Sequence, residues 1–355
     1  MIAQLNQTMT EQAAFDGQPA RLVELSNRAG MSVTLMDIGA TWLSCQLPLA
    51  SGERREVLLG VGTMQNFERQ ASYMGVTVGR YANRIANGLF SIDGVAYQVS
   101  VNQAGNCLHG GAQGFDKRRW HIESQSSDEV TFALESPNGD QGFPGHLNVN
   151  VQYQLTDENQ LTIRYWASTD AVTPVNLTNH AYFNLMGAES GHDCLLHKLM
   201  LNAPCYLPTN NVGIPLGTLR RVSGTSFDFN TEKTIGATLL QDEQQQCAKG
   251  YDHSYLFERE RDVSLPVACV TSPDELIRLS VCSNKPAIQL YTGNWLAGTP
   301  NRSGSEYRDY AGLALETQFL PDSPNHPDWP QPSCLLSPGE EYRYFTSYRF
   351  DFLNV

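Results

Sequence analysis

Leu147-Asn148-Val149-Asn150-Val151-Gln152-Tyr153-Gln154-Leu155 alternates an apolar residue with an amide at every step. Period-two alternation over nine residues is the pattern of a strand with one face buried and the other wet. The next four residues, Thr156-Asp157-Glu158-Asn159, have turn composition, and residues 161–167 then repeat the alternation. The two runs read as a β-hairpin. A second hairpin is expected where Asp93-Gly94, a favoured two-residue turn, precedes the alternating Val95, Tyr97 and Val99.

Outward from these, further strands are predicted at residues 22–25, Ser32–Met36, 130–134, 277–281, 288–291, 313–317 and 342–350. Helical periodicity is scarce, and the best stretch is 235–246. Many short strands separated by Gly, Pro, Asn and Asp turns predict an all-β fold. The architecture expected is a large, mostly antiparallel β-sandwich with few short helices. No internal repeat or low-complexity linker divides the chain, so residues 1–355 are read as a single domain. The Pro-rich stretch 321–332 is expected to be an ordered loop anchored by Leu320 and Trp329.

Composition narrows the function. The 355 residues are 41% hydrophobic and 17% charged, with a formal net charge of −13. Nucleic acids and anionic membranes attract basic surfaces, so neither is expected as a partner. A small neutral ligand is the easier fit. The start, MIAQLNQTMTEQ, has no basic residues followed by an apolar run, and no apolar stretch is long enough to cross a bilayer. A cytoplasmic location is therefore expected. The eight cysteines are scattered and form no CxxC pair. They are read as reduced, mostly buried thiols, with no zinc-ligand spacing among them.

Few residues invite chemistry on their own. In Val175-Asn176-Leu177-Thr178-Asn179-His180, a strand would put His180 on the face of Asn176 and Thr178. It could line a cleft or simply be hydrogen-bonded at a sheet edge. Glu316 stands in Leu313-Ala314-Leu315-Glu316-Thr317, an apolar setting where a carboxylate is rare unless paired. It could equally face solvent. His109, before Gly110-Gly111, lies where backbone could approach a ligand. Arg84 could be a surface charge, and Asp252-His253 could merely shape a turn.

Six segments resemble motifs of the aldose 1-epimerase family, and they occur in the family's order. They are Gly79-Arg80-Tyr81-Ala82-Asn83-Arg84-Ile85, Leu108-His109-Gly110-Gly111, Thr178-Asn179-His180-Ala181-Tyr182-Phe183-Asn184, Gly250-Tyr251-Asp252-His253, Gln289-Leu290-Tyr291-Thr292-Gly293-Asn294 and Leu315-Glu316-Thr317-Gln318-Phe319-Leu320-Pro321-Asp322-Ser323. The resemblance runs from about Gly17 to the C-terminus. It implies the supersandwich of the galactose mutarotases, with His180 as proton donor and Glu316 as proton acceptor. Asn83, Arg84, His109, Tyr182, Asp252 and Gln289 would then contact an aldose sugar.

Such chemistry opens and recloses a hemiacetal ring by proton transfer alone. No cofactor is expected, neither nicotinamide nor metal. Negative neighbours, Glu316 and Asp252, are expected to favour the imidazolium of His180. Three rival readings are a phosphosugar mutarotase, for which Lys117-Arg118-Arg119 could hold the phosphate, a glycoside hydrolase using Asp252 and Glu316, and a non-catalytic sugar-binding module. The preferred aldose and the oligomeric state are not legible.

Overall fold

A computed structural model describes residues 2–353. The stretch Leu147–Leu155 is one strand, with Leu147, Val149, Val151, Tyr153 and Leu155 buried. It pairs antiparallel with Gln160–Thr169, Leu155 opposite Leu161, as the hairpin reading expects. Asn159 takes a left-handed φ of 57° in the connecting turn. That hairpin nucleates a nine-stranded antiparallel sheet. In spatial order its strands are His121–Gln125, Glu129–Ser136, Leu147–Leu155, Gln160–Thr169, Tyr342–Phe352, Ile277–Ser283, Ala268–Thr271, Lys198–Leu201 and Lys233–Thr234.

A six-stranded antiparallel sheet packs against it, ordered Tyr182–Phe183, Leu313–Gln318, Ala287–Tyr291, Asp252–Leu256, Cys205–Leu207 and Arg220–Arg221. Between the two sheets, Leu313 and Leu315 join Tyr348, Phe350, Val151 and Ile163 in one core. Trp42, from a four-stranded meander spanning Leu22–Ser26 to Arg54–Glu56, brings its ring 5.4 Å from that of Tyr348. The architecture is the expected β-sandwich. Three α-helices occur among the described residues, at Ile2–Thr10, Met64–Arg69 and Glu243–Ala248. Among the described residues no helix is long and apolar enough to cross a membrane.

The helix expected at 235–246 is not continuous. Residues Ile235–Thr238 make a 3₁₀ turn, Leu240 breaks it with a φ of 60°, and an α-helix begins only at Glu243. Asp242 starts that helix by accepting a hydrogen bond from Gln244 N–H, the ordinary N-cap interaction. The second hairpin forms at Asp93-Gly94, whose φ values of 49° and 79° suit a two-residue turn. Its alternation does not mark the buried face as expected: Val95 is 55% exposed, and Phe90 and Ile92 carry the packing. The 321–332 loop is anchored as expected, with Leu320 buried and Trp329 donating from Nε1 to Gly217 O. All eight cysteines are unpaired thiols, five of them buried.

Behind the six-stranded sheet, Lys285 is wholly buried with its ammonium 4.5 Å and 4.4 Å from the ring centres of Tyr342 and Tyr344. Burial pushes its pKa well down. Lys285 donates to the Tyr342 hydroxyl, which also accepts from Leu177 N–H. The strut thus braces the segment that leads to His180.

Candidate active site

The strand Leu313–Gln318 is buried along its whole length, so both faces are covered. Leu313 and Leu315 enter the central core, while Ala314 packs with Tyr182, Met74 and Val76 on the opposite side. Period two puts Glu316 on the Ala314 face. Its register partner is Gln289, itself paired with Ser254, and the next row is Ala314, Tyr291 and Asp252. Three strands therefore present Glu316, Gln289, Ser254 and Asp252 side by side. Ser254 donates to Gln289 Oε1, and Gln289 Nε2 donates to Asp252 Oδ1 at 2.7 Å. This relay fixes the Asp252 carboxylate. His253, one residue on, points into the core against Phe227.

His180 enters from a short segment outside that sheet. Its Nε2 lies 3.5 Å from Glu316 Oε1, and the two side chains are only 6% and 3% exposed. Glu316 Oε2 and His180 Nδ1 have no hydrogen-bond partner among the described residues. Burial raises the Glu316 carboxyl well above its usual range; Asp252 adds to this and Arg84 opposes it. Burial lowers the His180 imidazole to about 4. The expected stabilisation of the imidazolium by nearby carboxylates is thus outweighed by desolvation of the ion. A proton shared by the pair is drawn toward the carboxylate.

The remaining residues close the site from the other side. Arg84 and Leu108 pair in a two-residue ladder that brings His109 next to Asn83. Asn83 N–H donates to His109 Nδ1 at 3.1 Å, and Asn83 O accepts from His109 N–H at 3.0 Å. His109 Nδ1 is therefore the acceptor and Nε2 carries the hydrogen. Burial, with help from His180 and Arg84, holds His109 neutral. Its ring is 5.2 Å from that of His180. Gly110 serves backbone packing: a Cβ there would come 2.0 Å from Gly79 O. Arg84 is half-buried, donates from Nε to Gln103 Oε1 at 3.2 Å, and acts electrostatically on His109, Asp252 and Glu316.

Tyr182 is 2% exposed, with its ring 4.9 Å from His180 and its hydroxyl donated to Ser72 O. It is placed beneath His180 rather than as an open sugar platform. All eight expected residues are brought together: Asn83, Arg84, His109, His180, Tyr182, Asp252, Gln289 and Glu316. Sequence reasoning missed Ser254 and Tyr73. Ser254 was legible, since it shares a strand face with Asp252. Tyr73, whose ring lies 4.6 Å from His109 and 5.9 Å from His180, gave no pattern.

His109, His180 and Glu316 hold potential ligand atoms within 4.8 Å of one another. Their donor chemistry does not suit an ion, because the lone pair of His109 Nδ1 is already taken and Nε2 bears a hydrogen. The set fits hydrogen bonding and proton transfer. Lys117, Arg118 and Arg119 are spent elsewhere: Lys117 donates to Ala112 O, Arg118 pairs with Asp140 at 2.8 Å, and Arg119 pairs with Asp16 and Asp37 at 2.5 Å.

The β-sandwich gathers a buried histidine–glutamate pair and hydrogen-bonding side chains into one polar cluster, the make-up of a carbohydrate-converting class of enzyme. Comparison with known proteins places the chain within it. The family model described as aldose 1-epimerase matches residues 21–349. The aldose 1-epimerase of Escherichia coli K12 is 52% identical over 341 residues, covering 96% of this chain and 98% of that protein. The galactose mutarotase of Rattus norvegicus is 37% identical over 321 residues, 90% of this chain and 91% of its own. The crystal structure of an aldose epimerase homologue from C. elegans superposes with a TM-score of 0.86 at 30% identity, covering 94% of this chain and all of that one. The chain belongs to the aldose 1-epimerase family, and it is an isomerase.

Proposed function

We propose that the protein interconverts the α and β anomers of galactose- and glucose-type hexoses by acid–base opening and reclosure of the ring. Glu316 takes the proton of the C1 hydroxyl as the bond from C1 to the ring oxygen breaks, and His180 gives a proton to that oxygen. The free aldehyde turns about C1–C2, and the two groups run in reverse on the other carbonyl face. Asn83, Arg84, His109, Asp252 and Gln289 form the surroundings of the sugar, with Tyr182 backing His180. The neutral His109 donates from Nε2, and Asp252, held by Gln289, accepts from hydroxyls.

One observation carries this reading: the buried Glu316 carboxylate faces His180 at 3.5 Å. Ring opening converts carboxylate plus imidazolium into carboxylic acid plus neutral imidazole. That second state is the one that burial favours. The reactive carboxylate–imidazolium form is therefore the minor one in the dry site, and whatever stabilises the imidazolium raises its share. The curated relatives named galactose mutarotase support galactose as a substrate. The engagement of Lys117, Arg118 and Arg119 in internal bonds leaves them unsuited to a phosphosugar.

Polarimetry of freshly dissolved α-D-galactose tests the proposal. The protein should speed the approach to the equilibrium rotation, and His180→Ala and Glu316→Gln should each slow turnover by at least about 10²-fold. A wild-type protein that leaves the rate at that of buffer would sink the activity. A variant with near-wild-type turnover would sink the role of that residue alone.

A further inference from the structure

The turn Ser72–Val76 is built as a bracket around His180. Gly75 N–H donates to His180 O and His180 N–H donates to Val76 O, both at 2.9 Å. Asn179 Nδ2 donates to Gly75 O at 2.7 Å, and the Tyr182 hydroxyl holds Ser72 O at 2.9 Å. The turn is thus tied to residues on both sides of His180. Gly75 has a φ of 71°, and a Cβ there would come 2.1 Å from Trp42 O, so no side chain fits.

What this bracket delivers is Tyr73. Its backbone takes a left-handed φ of 57°, which a bulky side chain avoids unless the surroundings impose it. The Tyr73 ring stacks on the His180 imidazole at 5.9 Å and 23°, while the Tyr182 ring lies 4.9 Å from the same imidazole at 34°. The edge of His109 closes a third side at 5.2 Å and 80°. We propose that Tyr73 is a positioning residue, forming with Tyr182 an aromatic slot that orients His180 toward the sugar ring and stabilises its imidazolium.

Aromatic faces attract a cation, and here they add to the one carboxylate that faces His180. The groups around it are Tyr73 from the turn, His109 from the Leu108–Gly110 loop, Tyr182 from its own segment and Glu316 from the sheet, with Arg84 and Asp252 flanking. Burial keeps the Tyr73 hydroxyl protonated, so the ring and not a phenolate is the active part. Deleting the ring should lower the His180 pKa and loosen its orientation. It should leave sugar affinity to the groups that make it.

This inference rests on His180 as the acid of the proposed reaction, and two readouts separate the failures. In the first, Tyr73→Phe should keep turnover within about twofold, whereas Tyr73→Leu and Tyr73→Met should lose about tenfold in kcat with little change in KM, by analogy with other proton-transfer groups held less firmly. In the second, an NMR titration of labelled histidine follows His180 with no substrate present. Its midpoint should fall by about half a pH unit in the Leu and Met variants and stay put in Phe, as loss of one cation–π contact implies.

Unchanged kcat and an unchanged midpoint in the Leu and Met variants would overturn the proposal. So would a defect confined to KM, which would make Tyr73 a sugar contact. An inactive wild type would instead strike the reaction, and the NMR titration would still decide the slot.

Discussion

At the scale of single residues, the site is governed by desolvation more than by charge pairing. Glu316 is held above the usual carboxylate range and His180 at about 4. In the proposed reaction the working form of the pair carries one proton. As the pH falls, a second proton enters only near the lowered value of His180. As it rises, the last proton leaves where the raised Glu316 gives it up. A pH–rate profile for galactose should therefore hold level through weakly acid solution and decline toward pH 4. On the alkaline side it should decline again as the pair loses its remaining proton, the two limbs belonging to the pair and not to either residue. Loss of activity already at 6.5, the ordinary histidine value, would contradict this account. None of it was legible in the sequence: Glu316 stood out there as a charge in an apolar run, but its burial beside His180, from a segment far off in the chain, is set by tertiary packing.

At the scale of elements, legibility followed the length and regularity of the pattern. The strands Leu147–Leu155, Ser32–Met36 and Leu313–Gln318 were readable because alternation or a continuous apolar run outlasted its turns. The wall of the site that carries Arg84, His180 and Tyr182, by contrast, is built around two-residue strands such as Arg84–Ile85, Thr178–Asn179 and Tyr182–Phe183, too short to show any period. Left-handed residues at Tyr73, Asn83 and His109 shape its walls. Such backbone is imposed by tertiary packing; only the family motif pointed to Asn83, while His109 stood out just by preceding Gly110-Gly111. The helix expected at 235–246 failed for a related reason, since local propensity could not reveal the left-handed Leu240. The bracket at Ser72–Val76 gives this scale its own test. Gly75→Ala would force a Cβ against Trp42 O and strain a positive φ. It should cost about 1–3 kcal/mol of stability and lower kcat as His180 shifts. Thermal melts and polarimetry read the two effects, and an alanine variant with wild-type melting and turnover would contradict the bracket.

At the scale of the whole molecule, the net charge of −13 sets what can approach. A neutral hexose feels no long-range field, so kcat/KM should change by less than about twofold between about 0.05 and 0.5 M salt. Hexose 6-phosphates should be poorer substrates, repelled by the surface and finding Arg118 and Arg119 already paired. A salt-dependent rate on galactose, or a preference for glucose 6-phosphate, would contradict this reading in a direct kinetic comparison.

The order of the nine-stranded sheet bears on how the protein is made. Tyr342–Phe352, the last of its strands along the chain, lies in the middle, between Gln160–Thr169 and Ile277–Ser283. Without that strand the two flanks of the sheet have nothing to join them, so a flank that formed first would end in an unpaired edge, and such edges invite wrong pairing. Pairing of Tyr342–Phe352 on both of its sides closes the two edges at once.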